Sequence, residues 1–262
     1  MAFWIFVTIA CSLFGGLQAQ TNYCTTSYCM AGKTNVGCNP PGTPGGVGCT
    51  GKSPAVINLN STYQNTILLE HNKRRSQFAL GQLKPFLPAK RMPTLQWDTE
   101  LAKQAGNNAR NCTFKHDQCR NTAVYASAGQ NLAMSQFYGM TKTIDALIKE
   151  GITGWWNEYN YTTQADLDKY PSAHTGPAIG HFTQMVSDQS NRIGCAMQYW
   201  LDGGKWQTYY LVCDYAVTNI IDRAVYKNGT VASGCTTGRN PDPALNGLCS
   251  TAETVKPVPN SV

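Results

Sequence analysis

Residues 1–17, MAFWIFVTIACSLFGGL, form one apolar run. It matches the hydrophobic stretch of a secretory signal and is short for a membrane-spanning helix. Gln18-Ala19-Gln20 follows, and cleavage is expected after Ala19, making residues 1–19 a leader. No Lys or Arg stands before the run, so the terminal amine is its only positive charge. From residue 20 to about 60 no apolar period is visible. Gly, Pro and four cysteines dominate, as in Asn39-Pro-Pro-Gly-Thr-Pro-Gly-Gly. Such a segment cannot bury a core of its own and must be stapled to a larger body.

From residue 61 a helical period begins. Tyr63, Ile67, His71, Arg74 or Arg75, and Phe78 recur at helical spacing, with Ser61 expected as N-cap and Gly81 as the stop. A Pro-bearing connector runs from Lys84 to Pro93. Asp98 is then placed to cap a helix through Leu101, Ala102, Ala105 and Ala109. The third helix has the broadest apolar face: Ile144, Leu147, Ile148, Ile152, Trp155, Trp156 and Tyr159. After residue 178 the pattern turns to strands, with His181 at the entry of one. Arg192–Trp200 and Trp206–Tyr215 are joined by Leu201-Asp-Gly-Gly-Lys, a strong hairpin signal. Helices followed by a hairpin-based sheet predict an α+β layered fold. No internal repeat is present.

Composition narrows the function classes. Of 262 residues, 42% are hydrophobic, 10% aromatic and 14% charged, which excludes a disordered chain. The net charge of +6 is a mild bias, and Lys73-Arg74-Arg75 is the only tight basic cluster. A nucleic-acid partner, which calls for a dense basic stripe, is not expected. After the leader no apolar run is long enough to span a membrane, so a secreted, extracellular product is expected.

The cysteines fit that compartment. Cys11 leaves with the leader; the ten that remain are an even set, which predicts five disulfides. No CxxC pair favours a zinc site instead. Residue 204 is midway between Cys195 and Cys213 and falls in the hairpin turn, so these two should face each other across the strands. Cys235 and Cys249 flank a Gly-, Pro- and Asn-rich loop and should pair together. Sequons mark Asn60, Asn160 and Asn228 for glycosylation; a fourth, at Asn111, is disfavoured by the neighbouring Cys112.

Four histidines are present: His71, His116, His174 and His181. Together with Glu158, His116 and His181 would make two imidazoles and a carboxylate, a set able to bind zinc or to act as base and acid. Spacing alone does not bring them together. The string Gly180-His-Phe-Thr-Gln-Met-Val resembles the first signature of the CAP superfamily (cysteine-rich secretory proteins, antigen 5 and pathogenesis-related proteins). Tyr210-Leu-Val-Cys-Asp-Tyr-Ala-Val-Thr-Asn-Ile resembles the second. Glu70-His-Asn-Lys-Arg-Arg and Gly129-Gln-Asn-Leu-Ala resemble two further motifs, in the family's order, over residues 61–226. The opening Asn22-Tyr-Cys and the stretch Cys112–Cys119 are similar to the insect antigen 5 branch, and Cys235 with Cys249 to its fly members.

The resemblance implies a three-layer α-β-α sandwich at residues 61–226, a Cys-rich extension at 20–60 and a short bridged tail at 227–262. It implies bridges Cys24–Cys38, Cys29–Cys119, Cys49–Cys112 and Cys195–Cys213. In its central cleft it places His116, Glu158 and His181, with Gln130 where many relatives have Glu. A neutral amide cannot act as general base and is a poor zinc ligand. Hence no cofactor is required, and only loose binding of a divalent ion such as zinc is expected at the two histidines. Ser187, where the first signature usually has Trp, and Asp214 and Thr218 in the second are departures. The function implied is that of a secreted, non-enzymatic salivary or venom effector and allergen, with host proteins and IgE as partners. The alternative is a carrier of small hydrophobic ligands, a fatty acid, eicosanoid or sterol, with Ile148, Ile152, Trp155 and Trp156 as the candidate slot. Neither Gly-x-Ser-x-Gly nor His-Glu-x-x-His occurs, so catalysis is not expected. Arg-Gly-Asp is also absent, which argues against integrin binding.

Overall fold

The computed structural model describes residues 21–256; the expected leader lies outside the described residues. Five helices are placed there: α1 (Ser61–Ala79), α2 (Thr99–Ala109), α3 (Ile144–Asn157), α4 (Gln164–Asp168) and α5 (Gly180–Met185). Five strands form one sheet: β1 (Ala55–Ile57), β2 (Gln96–Trp97), β3 (Gly129–Phe137), β4 (Arg192–Asp202) and β5 (Trp206–Tyr215). Asp98 caps α2, its Oδ1 accepting the N–H of Glu100 and Leu101 at 3.0 and 2.9 Å. On α1 the cap is Asn60 instead of Ser61. Its Oδ1 accepts the N–H of Thr62 and Tyr63 at 3.1 and 3.3 Å, while Ser61 is already helical. α3 stops at Asn157, and Tyr159 lies in a 3-10 turn, Glu158–Tyr161, that continues it.

The sheet order is β1-β4-β5-β3, with β2 pairing parallel to β4. The β4–β5 hairpin closes at Gly203 and Gly204, whose φ values of 55° and 72° suit glycine. Cys195 faces Cys213 in its register. β1 and β2 share the outer edge of β4, at Met197–Tyr199 and at Arg192–Ile193. The extension before residue 61 therefore supplies a strand to the main sheet, beyond its disulfide staples.

Period-2 alternation sends β5 side chains to two cores. Leu211, Cys213 and Tyr215 join Ile67, Phe78, Ile148, Trp155 and Phe182 under α1, α3 and α5. Tyr210 and Val212 join Ala105 and Ala109 of α2 on the other face. The result is a three-layer α-β-α sandwich. α2 lies so close to β4 that a Cβ on Gly194 would collide with the backbone of Asp98 and Ala102. Leu245 and Leu248 of the tail enter the larger core. Glu253 holds the tail to Arg91 at 2.6 Å.

Among the described residues there are five disulfides: Cys24–Cys38, Cys29–Cys119, Cys49–Cys112, Cys195–Cys213 and Cys235–Cys249. The basic cluster on α1 is no surface patch, since Arg74 pairs with Glu70 and Arg75 is fully buried. No helix among the described residues is long and apolar enough to cross a membrane.

His71, also on α1, is a core residue. Its Nδ1 lies 2.8 Å from Ile67 O, which can only accept, so Nδ1 carries the proton. Nε2 then accepts from Tyr215 OH at 2.8 Å. Burial pushes its pKa from 6.5 down to about 3. Between those values the unfolded chain binds a proton that the folded chain does not. His71 therefore makes the fold lose stability as pH falls from about 6.5 toward 3, by about 1.4 kcal/mol per pH unit. Asp188 and Asp214, raised by burial, act with the opposite sign. The measurement is thus a difference. His71→Gln is expected to flatten the acid-side slope of denaturant stability relative to the wild type, and parallel slopes would refute the assignment.

Candidate functional site

Glu158 stands where α3 gives way to the 3-10 turn. Its Oε2 accepts the main-chain N–H of His181 and Phe182 at 2.7 and 3.1 Å. These are first-turn donors of α5 that no helical carbonyl can reach. This tertiary contact makes the segment around His181 a helix, where the local pattern had suggested a strand. Glu158 Oε1 lies 2.6 Å from His181 Nδ1, so that nitrogen carries the proton and Nε2 is left open. Trp155 stacks on the same imidazole, ring centroids 6.1 Å apart, and is fixed by donating Nε1–H to Leu132 O at 2.8 Å.

His116 rides on the loop between Cys112 and Cys119, which the bridges to Cys49 and Cys29 clamp from the extension. Its Nδ1 lies 2.8 Å from Gln130 Oε1 on β3. The amide orientation is fixed from its other end. Gln130 Nε2 donates to Asp117 Oδ2 at 2.8 Å and to Asp214 Oδ1 at 2.9 Å, which demand a donor. Oε1 thus faces His116, whose Nδ1 carries the proton and whose Nε2 is open. Although the residue is exposed overall, partial burial of the ring holds its pKa below the usual histidine value, and the charges of Arg120 and His181 add to this. Asn131, next to Gln130 on β3, donates Nδ2–H to His181 O at 3.1 Å, which brings the two histidine segments to the same end of that strand.

Asp214 faces Gln130 directly in the β3–β5 register. Burial, with Asp117 nearby, pushes its carboxyl well above the usual range, and its Oδ2 has no partner among the described residues. Asp117 is held by Arg120 at 2.9 Å. Sequence reasoning placed neither acid at the site, although it marked Asp214 as a departure in the second signature. Asp117 adjoins His116 in the chain, and that adjacency was the available signal. The link from Asp214 to Gln130 required the β3 register.

The site is therefore two imidazoles whose Nε2 atoms have no hydrogen-bond partner among the described residues, one carboxylate committed to α5, and an amide at the fourth position. Zinc sites use three or four protein ligands. Among the described residues no group of three or more His, Cys, Asp or Glu is placed to hold a metal, so the donor set does not fit a resident zinc cofactor. All ten described cysteines are bridged and offer no thiol nucleophile. Ile148, Ile152, Trp155 and Trp156, the candidate ligand slot, are only 0–7% exposed and are packed in the larger core. Asn60, Asn160 and Asn228 are exposed.

The family description "Cysteine-rich secretory protein family" (CAP) matches residues 68–215, which include all four cleft positions. The chain belongs to the CAP family. This CAP chain is 42% identical over 252 residues to "Venom allergen-1" of Aedes albopictus, covering 96% of each. It is 36% identical over 186 residues to "Antigen 5 like allergen Cul n 1" of Culicoides nubeculosus, covering 68% of this chain and 83% of that one. Among solved structures it resembles NaASP2 with Zn2+, at a TM-score of 0.60 and 28% identity, covering 73% of this chain and 96% of that one.

Proposed function

We propose that this CAP protein is a secreted, non-enzymatic antigen 5-like effector of saliva or venom, acting on host proteins and met by host IgE as an allergen. The likeness to named venom and antigen 5 allergens supports the class. Five disulfides suit an oxidising, extracellular destination. The observation that carries the non-enzymatic reading is Gln130. Its amide sits between His116 and two carboxyl groups, so His116 Nδ1 has no acid to draw its proton, and among the described residues neither imidazole hydrogen-bonds a nucleophile. Glu158 is occupied with three hydrogen bonds to α5.

The purified protein is expected to release no more peptide product than buffer across neutral pH, with or without added zinc. Robust hydrolysis that disappears in His181→Ala would overturn this reading. Calorimetry with zinc alone should show weak binding that is lost when His116 and His181 are both changed to Ala. Transcripts should concentrate in a salivary or venom gland; testis or gut expression would redirect the role to reproduction or digestion. N-glycans at Asn60, Asn160 and Asn228 belong to the same secreted reading.

A further inference from the structure

The outer flank of β4 is bare between its two partners. β2 ends at Trp97, opposite Ile193, and β1 ends at Ile57, opposite Met197. Both neighbours leave the sheet to begin helices. Past Trp97 the chain enters α2, and Asp98 O accepts the N–H of Ala102 at 3.1 Å. Past Ile57 it enters α1, and Leu59 O accepts from Gln64 Nε2 at 2.8 Å. Bonds on either side fix how the bare stretch is turned. Asp98 N–H donates to Ile193 O at 2.8 Å, and Leu201 N–H donates to Lys52 O at 2.6 Å. Odd-numbered residues of β4 therefore turn their main-chain groups to this flank. For Cys195, neither the N–H nor the C=O has a main-chain partner on this flank among the described residues, although the residue is only 3% exposed. Buried main-chain groups left unpaired are rare and costly.

These groups border a recess of about 350 Å³, within the size range of small-molecule sites. None of His116, Gln130, Glu158 and His181 lines it. Ile57, Leu59 and Trp97 make one side apolar. Arg110, at the end of α2, supplies charge. Its Nε donates to Pro41 O at 2.8 Å and its Nη2 to Asn107 Oδ1 at 2.5 Å, which leaves Nη1 open. Both acceptors are neutral, and burial alone lowers the Arg110 pKa, with no carboxylate beside it. Nη1 lies against the bare Gly106: a Cβ there would stand 3.1 Å from it and 3.6 Å from the Ala196 methyl. The open Nη1 is thus next to the unpaired stretch of β4. Lys103 is on the same rim and is paired with Glu100 at 3.6 Å.

A ligand here can pair with one strand residue and no more, because β1 and β2 close the flank on both sides. That requirement describes a chain end. The unneutralised guanidinium selects a carboxyl end over an amino end. We propose that this recess captures the carboxyl terminus of a partner peptide whose last residue is apolar. The N–H of that residue donates to Cys195 O, as in an antiparallel pair. One carboxylate oxygen accepts the Cys195 N–H, the other accepts from Arg110 Nη1, and the side chain lies on Ile57, Leu59 and Trp97. The site is separate from the histidine cleft, and its test stands whether or not the effector reading holds.

The test is titration of the full, disulfide-bonded protein with acetyl-Ala-Ala-Leu, read by calorimetry and by the amide resonance of Cys195. The free acid should bind saturably at one site and shift that resonance. Its carboxamide should bind about tenfold or more weakly, having lost the charge that Arg110 meets. 4-Methylpentanoate keeps the leucine side chain and carboxylate but lacks the amide, and should also bind more weakly. Arg110→Gln should remove the advantage of the free acid over the carboxamide. If loss of the bonds to Pro41 and Asn107 unfolds that variant, Thr99→Trp blocks the recess from an exposed position and should abolish binding. Absence of saturable binding, equal affinity for the carboxamide or for 4-methylpentanoate, an unmoved Cys195 resonance, or free-acid affinity unchanged by the variants would each overturn the proposal.

Discussion

Arg75→Met will leave little folded protein. The Arg75 side chain is completely buried. Nη1 donates to Met185 O and Ser187 O at 2.8 and 2.9 Å, and Nη2 to Pro93 O and Ser190 O at 2.7 and 3.1 Å. One guanidinium thus ties α1 to the connector before β2, the end of α5 and the turn before β4. Met conserves volume but offers no donor, so four carbonyls lose their partner and Asp188 loses a compensating charge. Burial lowers the Arg75 pKa only to about 10, so the group is charged at neutral pH. Breaking such a buried charged network costs about 3–5 kcal/mol, against a typical total stability of about 5–15 kcal/mol. Arg75→Lys should rescue only part, because three donors on one nitrogen cannot cover four acceptors spread around a planar fork. Secreted yield and the urea midpoint measure the loss. An Arg75→Met protein within about 1 kcal/mol of wild type would contradict this account.

The second large effect is expected from Cys49→Ser/Cys112→Ser. This bridge closes a separation of 63 residues, and the chain-entropy relation gives about 4 kcal/mol for a loop of that size. Cys49 and Cys112 are also packed in the smaller core, so the serines add a polar cost. Cys29–Cys119, spanning 90 residues, still tethers the extension, so the segment should loosen without detaching. Limited proteolysis should then cut within residues 39–50 before the sandwich is touched. The same bridge steadies the loop that presents His116. The His116 imidazole resonances should therefore broaden or multiply in the variant, while those of His71 stay sharp. A double mutant with the wild-type melting midpoint and an unchanged digestion pattern would show that the clamp is redundant.

The sequence showed most of the sandwich because its long elements carry their own signals. α2 has its cap in Asp98, α3 an unbroken apolar face, and the β4–β5 hairpin a glycine turn centred between two opposed cysteines. β3 was not legible as a strand. Its first four residues are buried irrespective of side, so no period-2 alternation marks Gly129–Leu132. β1 and β2, of three and two residues, are too short to show a period. α5 escaped because Glu158, twenty-two residues before Gly180, organises its first turn. For the site, resemblance located His116, Gln130, Glu158 and His181 in the chain. Their division into two hydrogen-bonded groups, Glu158 with His181 and Gln130 with His116, Asp117 and Asp214, depends on register and loop geometry. The Lys73-Arg74-Arg75 cluster shows the limit most directly, since adjacent charges on one helix end in different environments.

β4 runs for eleven residues and bonds to β5 along one side, while two fragments cover only Arg192–Ile193 and Met197–Tyr199 of the other. Bare strand flanks recruit other chains, and natural sheets shorten or cover them. Here the cover is piecemeal, and its β1 part is moored through the cystine-rich extension. A reducing environment would free that piece and turn the flank of the central hairpin into a template for a second molecule. The cystines would then protect against fibrillar self-association as well as against melting.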